Sequence, residues 1–375
     1  MKKILFIITH LELGGAQKQL LSFVKKLDRK KYSIYLCAGD RGYLKNEFMS
    51  FSPLETNLIA ELIRGINPFY DFIAFIKLYF YIRKNKFDIV HTHSPKASIL
   101  GRWAAYLAGV KNIIYTVHGW PFHRFMNPLL YWLYVFLEKI TAGITKKIIV
   151  VSSEGLSEGI KRVLPFSDKF AIIHYGVNIK WVDSIFLKRK SNFSFDNSIV
   201  NISCLKPQKG LVYFLEAARV ILNKRTDVKF SIVGEGPLRK SIDREITKGK
   251  LTKHVSLDGW ISDLSGVFSR ASILVITSLW EGLPLAVIEA VTSGVPVVAT
   301  DTGGILDILN NHNNGVIIKC KDVKTTADAV LAILDNYSQW SKKALDAREK
   351  LNLIYWSDER MVSQTEKIYQ EVLTK

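Results

Sequence analysis

The stretch Ser278 to Pro296, SLWEGLPLAVIEAVTSGVP, constrains the fold of this 375-residue chain most strongly. An apolar, β-branched run at residues 273–277 leads into it, and a second run at residues 295–299 leads out of it. Pro284 is suited to open a helix, because its missing N–H costs nothing there. Gly294 is suited to end that helix, because glycine tolerates a left-handed backbone. The pattern therefore predicts strand, loop, helix and strand, which form one βαβ unit of a parallel sheet.

Two carboxylates lie in this unit, Glu281 in the loop and Glu289 in the helix. Ligands of open α/β sheets bind outside the carboxyl ends of the strands, where the loop carrying Glu281 should lie. By spacing alone, the two acids could equally be a solvated loop residue and an exposed helix residue. However, apolar neighbours such as Val287 and Val291 indicate a buried helix, and a buried carboxylate needs a partner.

The first half of the chain alternates predicted strands and helices, which is typical of a parallel, doubly wound sheet. Its predicted strands are Ile4–Thr9, Tyr32–Ala38, Asp88–His93, Asn112–His118 and Lys147–Ser152. After the first strand, Gly14 and Gly15 open a helix, whose N-terminus favours an anion. The same glycine pair is also compatible with a plain tight turn.

Two predicted strands end in residues that can carry protons, His93 and His118. Both should lie at the ligand edge of the sheet. A single histidine is more often structural, but two at one edge favour a functional role. His118, beside a glycine, is the better candidate.

An aromatic stretch, Trp120 to Phe136, follows His118. It is compatible with a core helix, or with a shallow interfacial element that meets lipid headgroups. The basic residues that could meet lipid phosphates in the second case are Arg102, Lys111, Arg124, Lys146 and Lys147. The aromatic stretch Phe69 to Tyr81 allows the same two interpretations.

A second α/β pattern begins at Ile199. We predict an N-terminal Rossmann-like domain at 1–175, a linker at 176–198, a C-terminal Rossmann-like domain at 199–354, and a C-terminal helix at 355–375 that packs on the first domain. The linker is placed where no sustained period is visible. Lys209 and the glycine loops of the second half, including Gly234 and Gly236, suit a diphosphate.

The composition excludes several classes of protein. The net charge of +18 is concentrated in residues 1–172, with 25 Lys and Arg against 12 Asp and Glu. Such a surface could face nucleic acid, anionic lipid or a phosphorylated ligand. Three irregularly spaced cysteines form neither a disulfide framework nor a metal motif. The apolar N-terminal run is too short for a signal peptide, and no segment is long enough to cross a membrane.

The assembled motifs resemble those of the family-4 retaining glycosyltransferases. In chain order, the resemblance is carried by Gly14-Gly-Ala-Gln17, Pro207-Gln-Lys-Gly210, Val233-Gly-Glu-Gly-Pro237, Glu281-Gly-Leu-Pro-x4-Glu289, Gly294-Val-Pro-Val-Val-Ala299 and Gly303-Gly304. It implies the GT-B fold, in which two doubly wound Rossmann-like α/β domains face a central cleft, with 1–175 as the acceptor domain and 199–354 as the nucleotide-sugar domain.

The resemblance also implies a role for each site residue. Glu289 would bind the ribose hydroxyls, Glu281 the donor sugar, and Lys209 the departing diphosphate, while His118 would lie near the reacting sugar. The remaining donor-binding residues would be Gly14, Gly15, Gly234, Gly236, Gly282, Leu283 and Pro284. We predict acceptor contacts from His93 and Trp120. The family usually has arginine where this chain has Cys204, which would leave diphosphate neutralisation to Lys209 and backbone dipoles, aided by Lys206.

The predicted activity is retaining, metal-independent transfer of a hexosyl group from a nucleotide-diphosphate sugar. The donor would be a UDP-hexose or a UDP-N-acetylhexosamine, with no further cofactor and no metal site. The expected acceptor is a lipid-linked glycan of capsule, O-antigen or another cell-surface polysaccharide. We expect a cytoplasmic protein, peripheral on the inner face of the membrane, with the anionic membrane surface as a further partner. The alternatives are a nucleotide-sugar epimerase of the same fold and a basic nucleic-acid-binding protein.

Overall fold

The computed structural model describes residues 1–165, 168–191, 196–309 and 314–374. The chain divides into two compact units. Unit 1 comprises Met1–Tyr175 together with Asp358–Lys375, and unit 2 comprises Gly176–Ser357.

Unit 1 is built on seven parallel strands in the order β3-β2-β1-β4-β5-β6-β7. The strands are β1 (Lys2–Ile8), β2 (Tyr32–Ala38), β3 (Glu55–Leu58), β4 (Ile89–His93), β5 (Asn112–Val117), β6 (Lys147–Val150) and β7 (Phe170–Ile172). The helices between them are α1 (Gly15–Lys26), α2 (Lys45–Ser50), α3 (Pro68–Asn85), α4 (Pro95–Leu107), α5 (Pro128–Gly143) and α6 (Ser153–Arg162). The five strands predicted for this half all form.

Unit 2 has six parallel strands in the order β10-β9-β8-β11-β12-β13. After helix α7 (Ile179–Ser191) its elements are β8 (Ser198–Ile202), α8 (Leu211–Leu222), β9 (Lys229–Val233), α9 (Arg239–Lys248), β10 (Val255–Gly259), α10 (Ser265–Arg270), β11 (Ile273–Ile276), α11 (Leu285–Thr292), β12 (Val297–Thr300), α12 (Ile305–Leu309), β13 (Gly315–Ile318), α13 (Val323–Asp335) and α14 (Tyr337–Lys350). Two such sheets confirm the predicted doubly wound α/β class.

The last helix, α15 (Asp358–Thr374), returns to unit 1 and packs against α1. The Ser22 hydroxyl donates to the Asp358 carboxylate at 2.9 Å. Near the other end of α15, the Tyr369 hydroxyl lies 2.6 Å from Nδ1 of His91 in the sheet. Helix α15 is therefore part of the hydrophobic core of unit 1, although it is the last helix in the sequence.

Residues 176–198 are predicted as a linker, yet the structure forms helix α7 within them. Its buried residues, Val182, Ile185, Phe186 and Arg189, follow the i, i+3, i+4, i+7 spacing of a helix face. The sequence does not show this helical period, because one of the buried positions, Arg189, lies in a charged run. Its guanidinium donates to the carbonyl oxygens of Phe268 and Ala271 at 2.8 Å and of Gly294 at 3.2 Å.

Helix α5 is fixed by an ion pair inside unit 1. Arg102 of α4 donates through Nη2 to Oε2 of Glu138 at 2.6 Å, and both side chains are fully buried. The guanidinium also donates to Thr145 Oγ1 at 3.2 Å and lies 4.3 Å from the ring centre of Tyr115. The expectation that Arg102 could meet lipid phosphates is therefore wrong, because its charge is neutralised inside the core.

Candidate functional site

Both sheets have a topological switch point, where ligands of open α/β sheets bind. In unit 1 it lies between β1 and β4, and in unit 2 between β8 and β11. Gly14 follows β1 and His93 ends β4, while Lys209 follows β8 and Glu281 follows β11. Four of the predicted site residues thus form two pairs, one at the switch point of each unit.

In unit 2, Lys209 and Glu281 form an ion pair, with Nζ 2.5 Å from Oε1. The same carboxylate oxygen accepts the Ser278 hydroxyl at 2.7 Å. The other oxygen, Oε2, has Gln208 Nε2 at 3.5 Å, which is too long for a strong hydrogen bond. The carboxylate is therefore held firmly through one oxygen, while Oε2 keeps capacity to accept a ligand hydroxyl.

Side chains that donate to backbone carbonyls hold together the two loops that carry this ion pair. Gln208 donates through Nε2 to the carbonyl of Trp280 at 2.9 Å, and Thr277 Oγ1 donates to the carbonyls of Lys209 and Gly210. Gly210 has a φ of 58°, and a Cβ there would lie 2.2 Å from the Thr277 carbonyl oxygen. Only glycine fits this close approach of the two loops.

Gly234 and Gly236, predicted to bind the donor, lie in the loop after β9. A Cβ on Gly234 would lie 2.1 Å from the Ser203 carbonyl oxygen, and one on Gly236 would lie 2.6 Å from that of Leu205. Glycine is therefore required at both positions for packing against the loop after β8, whether or not a ligand is bound. Cys204, at the position where the family usually has arginine, lies in that loop as a half-buried free thiol.

Helix α11 begins after Pro284 and is followed by Gly294 at a φ of 73°, as its sequence predicts. All of its residues except Ala286 are buried, which confirms the buried-helix interpretation. Glu289 lies in its second turn and is 8% exposed. Gly282 and Leu283 are buried in the preceding loop, where the Gly282 carbonyl accepts the backbone N–H of Gly304 at 2.7 Å.

In unit 1, the two predicted histidines form a hydrogen-bonded chain. Nδ1 of His93 lies 2.8 Å from Nε2 of His118, and Nδ1 of His118 lies 2.6 Å from the Tyr175 hydroxyl. Burial lowers the pKa of His118 to about 3 and holds that of His93 well below its usual range. Both rings are therefore neutral at neutral pH. Because both nitrogens of His118 are engaged, a ligand must meet the ring elsewhere or replace one of these bonds.

A cavity of about 40 Å³ lies next to these hydrogen-bonded side chains, between the sheet and helices α1 and α15. Its polar lining includes Gln19, His91, His93 and Thr116. Nε2 of His93 is buried and has no hydrogen-bond partner among the described residues. The cavity is large enough to hold one water, which could hydrogen-bond to this nitrogen.

The other predicted residues of unit 1 are the glycine pair before α1 and Trp120. Helix α1 starts at Gly15, with Gly14 as its N-cap. Trp120 donates through Nε1 to the Gly155 carbonyl at 2.8 Å and stacks on Phe122 with ring centres 5.3 Å apart. An acceptor contact of Trp120, which stays a prediction, would therefore use the remaining face or edge of the indole.

Three residues of these networks are assigned no role by the sequence analysis: Gln208, Ser278 and Tyr175. Gln208 and Ser278 are single polar residues in loops, and Tyr175 lies 57 positions from the histidine it contacts. Their roles depend on loop geometry, which a motif of glycines and acids does not specify.

The described part of the chain contains no group of three or more His, Cys, Asp and Glu arranged to hold a metal ion. Within the same residues, no helix combines the length and apolar character needed to span a bilayer.

Comparison with known proteins identifies the family. The family model for glycosyltransferase family 4 matches residues 13–181, and the model for glycosyl transferases group 1 matches residues 183–350. The UDP-Gal:α-D-GlcNAc-diphosphoundecaprenol α-1,3-galactosyltransferase of Escherichia coli is 32% identical over 337 residues, covering 86% of each chain. The capsular polysaccharide biosynthesis glycosyltransferase CapM of Staphylococcus aureus is 24% identical over 355 residues, 90% of this chain and 89% of CapM.

Solved structures show the same fold. HepE of Anabaena, crystallised with UDP and glucose, superposes with a TM-score of 0.81 over 99% of this chain and 100% of HepE, at 18% identity. WaaG, a glycosyltransferase involved in lipopolysaccharide biosynthesis, gives a TM-score of 0.75 over 96% of this chain and 98% of WaaG, at 15% identity. Motifs, topology and relatives agree, and the chain belongs to the family-4 glycosyltransferases with the GT-B fold.

Proposed function

We propose that this protein transfers a hexosyl group, with retention of configuration, from a UDP-hexose or UDP-N-acetylhexosamine to a lipid-linked glycan. The observation that carries the proposal is the Lys209–Glu281 ion pair at the switch point of unit 2. It combines a fixed positive charge, suited to a diphosphate, with a carboxylate oxygen available to a sugar hydroxyl. Glu289 on the neighbouring helix would bind the ribose hydroxyls.

In the proposed reaction, the bond between the anomeric carbon and the diphosphate oxygen breaks as the acceptor oxygen approaches from the same face. The acceptor proton passes to the leaving phosphate oxygen. The proposal assigns no covalent nucleophile: Glu281 would bind the donor sugar's hydroxyls through Oε2, while its Oε1 is held by Lys209 and Ser278. The Lys209 ammonium stabilises the departing negative charge, the part that a metal ion plays in other transferases. The reaction would need neither a metal ion nor a cofactor beyond the nucleotide sugar.

The relatives support the choice of substrates. The name of the Escherichia coli relative specifies UDP-galactose as donor and a GlcNAc-diphosphoundecaprenol as acceptor. Other relatives are named for capsular polysaccharide and O-antigen biosynthesis. We therefore place the reaction in cell-surface polysaccharide assembly, at the cytoplasmic face of the membrane, where a diphospholipid acceptor is accessible to a peripheral protein.

The stereochemistry of the product tests the mechanism. The purified protein is incubated with UDP-galactose, UDP-glucose or their N-acetylated forms, together with a GlcNAc-diphospholipid, and the new linkage is analysed by NMR. We expect an α-linkage, because UDP-hexoses are α-linked, and unchanged turnover in the presence of EDTA. A β-linked product would contradict retention. Epimerised donor in reactions without acceptor would favour an epimerase instead.

A further inference from the structure

Helix α5 presents a continuous apolar stripe to solvent. Its members are Leu129, Trp132, Leu133, Phe136 and Ile140, which we call the α5 stripe; they follow i, i+3, i+4, i+7, i+11 spacing and are 41% to 79% exposed. Such spacing places them on one side of the helix. Single exposed apolar side chains are ordinary, but a continuous patch of this kind marks an interaction surface.

The inward side of α5 fixes which residues face outward. Val135, Glu138 and Ala142 are buried, and Glu138 is held by its ion pair with Arg102 of α4. Rotating the helix to bury the α5 stripe would break this ion pair. Arg102 would then remain buried without its carboxylate partner, which is strongly destabilising. The outward apolar face is thus a fixed feature of unit 1, which rules out a helix buried on all sides.

The chain segment that carries the stripe is basic. Between Gly119 and Ser152 the only acidic residue is Glu138, which is buried in its ion pair. Arg124, Lys139 and Lys146 in the same segment are exposed. The solvent face of this segment therefore combines apolar side chains with positive charge.

Helix α3 extends this surface. It packs against α4, which in turn packs against α5, so the three helices form one layer on the sheet. Phe69, Phe72 and Phe80 of α3 are each more than 60% exposed. Lys84 and Lys86 at its C-terminal end are exposed as well. Aromatic side chains beside lysines are typical of the membrane interface.

We infer that the α5 stripe, with Phe69 and Phe72 of α3, docks unit 1 onto an anionic lipid bilayer. Helix α5 has 16 residues and is about 24 Å long, which is too short to cross a hydrocarbon core of about 30 Å. It therefore lies in the plane of the interface, with its apolar side chains among the acyl chains and its bases at the lipid phosphates. A second copy of this chain fits less well, because it would bring like charges together. The inference rests on the proposed function in one respect: membrane docking explains how the protein would reach a lipid-linked acceptor.

Vesicle binding tests this surface without donor or acceptor. The full-length protein is sedimented with vesicles of phosphatidylcholine and phosphatidylglycerol, and with phosphatidylcholine alone, at about 0.1 M and about 0.5 M NaCl. We expect binding to the anionic vesicles, weakened by salt. The double variant Leu129→Glu/Phe136→Glu should bind at least about tenfold more weakly, because it removes two inserted side chains and adds two negative charges.

The matched control is Leu187→Glu/Ile354→Glu, which adds the same charge at two exposed apolar positions of unit 2, Leu187 at 61% and Ile354 at 73% exposure. It should bind vesicles like the unchanged protein. Equal loss in both double variants, or no vesicle binding by the unchanged protein, would overturn the inference. A dimer in sedimentation velocity that Leu129→Glu/Phe136→Glu dissociates would also overturn it, by showing that the surface joins two copies. None of these outcomes bears on sugar transfer, which is assayed separately.

Discussion

Replacing Lys209 by alanine is expected to lower kcat/KM for sugar transfer by about 10³-fold, because the departing diphosphate loses its fixed positive charge. Replacing Glu281 by alanine should have an effect of similar size, because it removes the sugar-binding carboxylate and frees the lysine from its position. Initial rates with the preferred UDP-sugar measure both effects. The midpoint of thermal unfolding should change little in either variant, because Gln208 still holds the loop through the Trp280 carbonyl.

The control for these variants is Lys224→Ala, which removes a lysine from an exposed ion pair with Asp328 in the same unit. Exposed pairs contribute little to stability, so this variant should keep both its fold and its turnover. Near-normal turnover in Lys209→Ala and Glu281→Ala would remove the basis for placing the donor site at this switch point.

The second large effect concerns stability. Arg102→Met should destabilise unit 1 by about 3–5 kcal/mol, because it leaves the Glu138 carboxylate buried without its partner. For a unit of this size, the unfolding midpoint should fall by about 10 °C. Calorimetry or circular dichroism on the full-length protein measures the change.

Two further variants isolate the ion pair. Arg83→Met makes the same substitution at an exposed position of α3, where we expect a change within about 0.5 kcal/mol. The double variant Arg102→Met/Glu138→Leu replaces both charges with apolar groups and should recover most of the lost stability. If the double variant is as unstable as Arg102→Met, lost packing rather than an unpaired charge explains the effect.

The sequence predicts the fold well where apolar, β-branched runs mark buried strands. The five strands predicted for the first half and the runs at 273–277 and 295–299 form as expected, whereas the sequence does not reveal β3 (ETNL) and β7 (FAI), because neither run is long enough to show a period. Helix α7 was missed for a different reason. One of its inward positions is Arg189, whose burial depends on three carbonyl groups supplied by α10 and the loops around it, and sequence pattern does not reveal that arrangement.

The candidate site, like the fold, can be predicted from the sequence only in part. Glu281 and Lys209 stand in recognisable motifs, but their direct contact depends on the β8–β11 pairing that brings their loops together. The orientation of α5 could not be predicted either, because its sequence is apolar on more than one side. The Arg102–Glu138 pair fixes it, and the two residues lie 36 positions apart.

Binding of the donor tests the central claim most directly. Thermal unfolding is followed with a series of nucleotide sugars, and the preferred one is then titrated into the unchanged protein and into Glu289→Gln. A UDP-sugar at about 100 times its Kd should raise the unfolding midpoint by about 5–10 °C. Glu289→Gln should bind it about 10- to 100-fold more weakly, because it loses charge-assisted hydrogen bonds to the ribose. No shift with any nucleotide sugar, or equal affinity in Glu289→Gln, would contradict the proposed donor site.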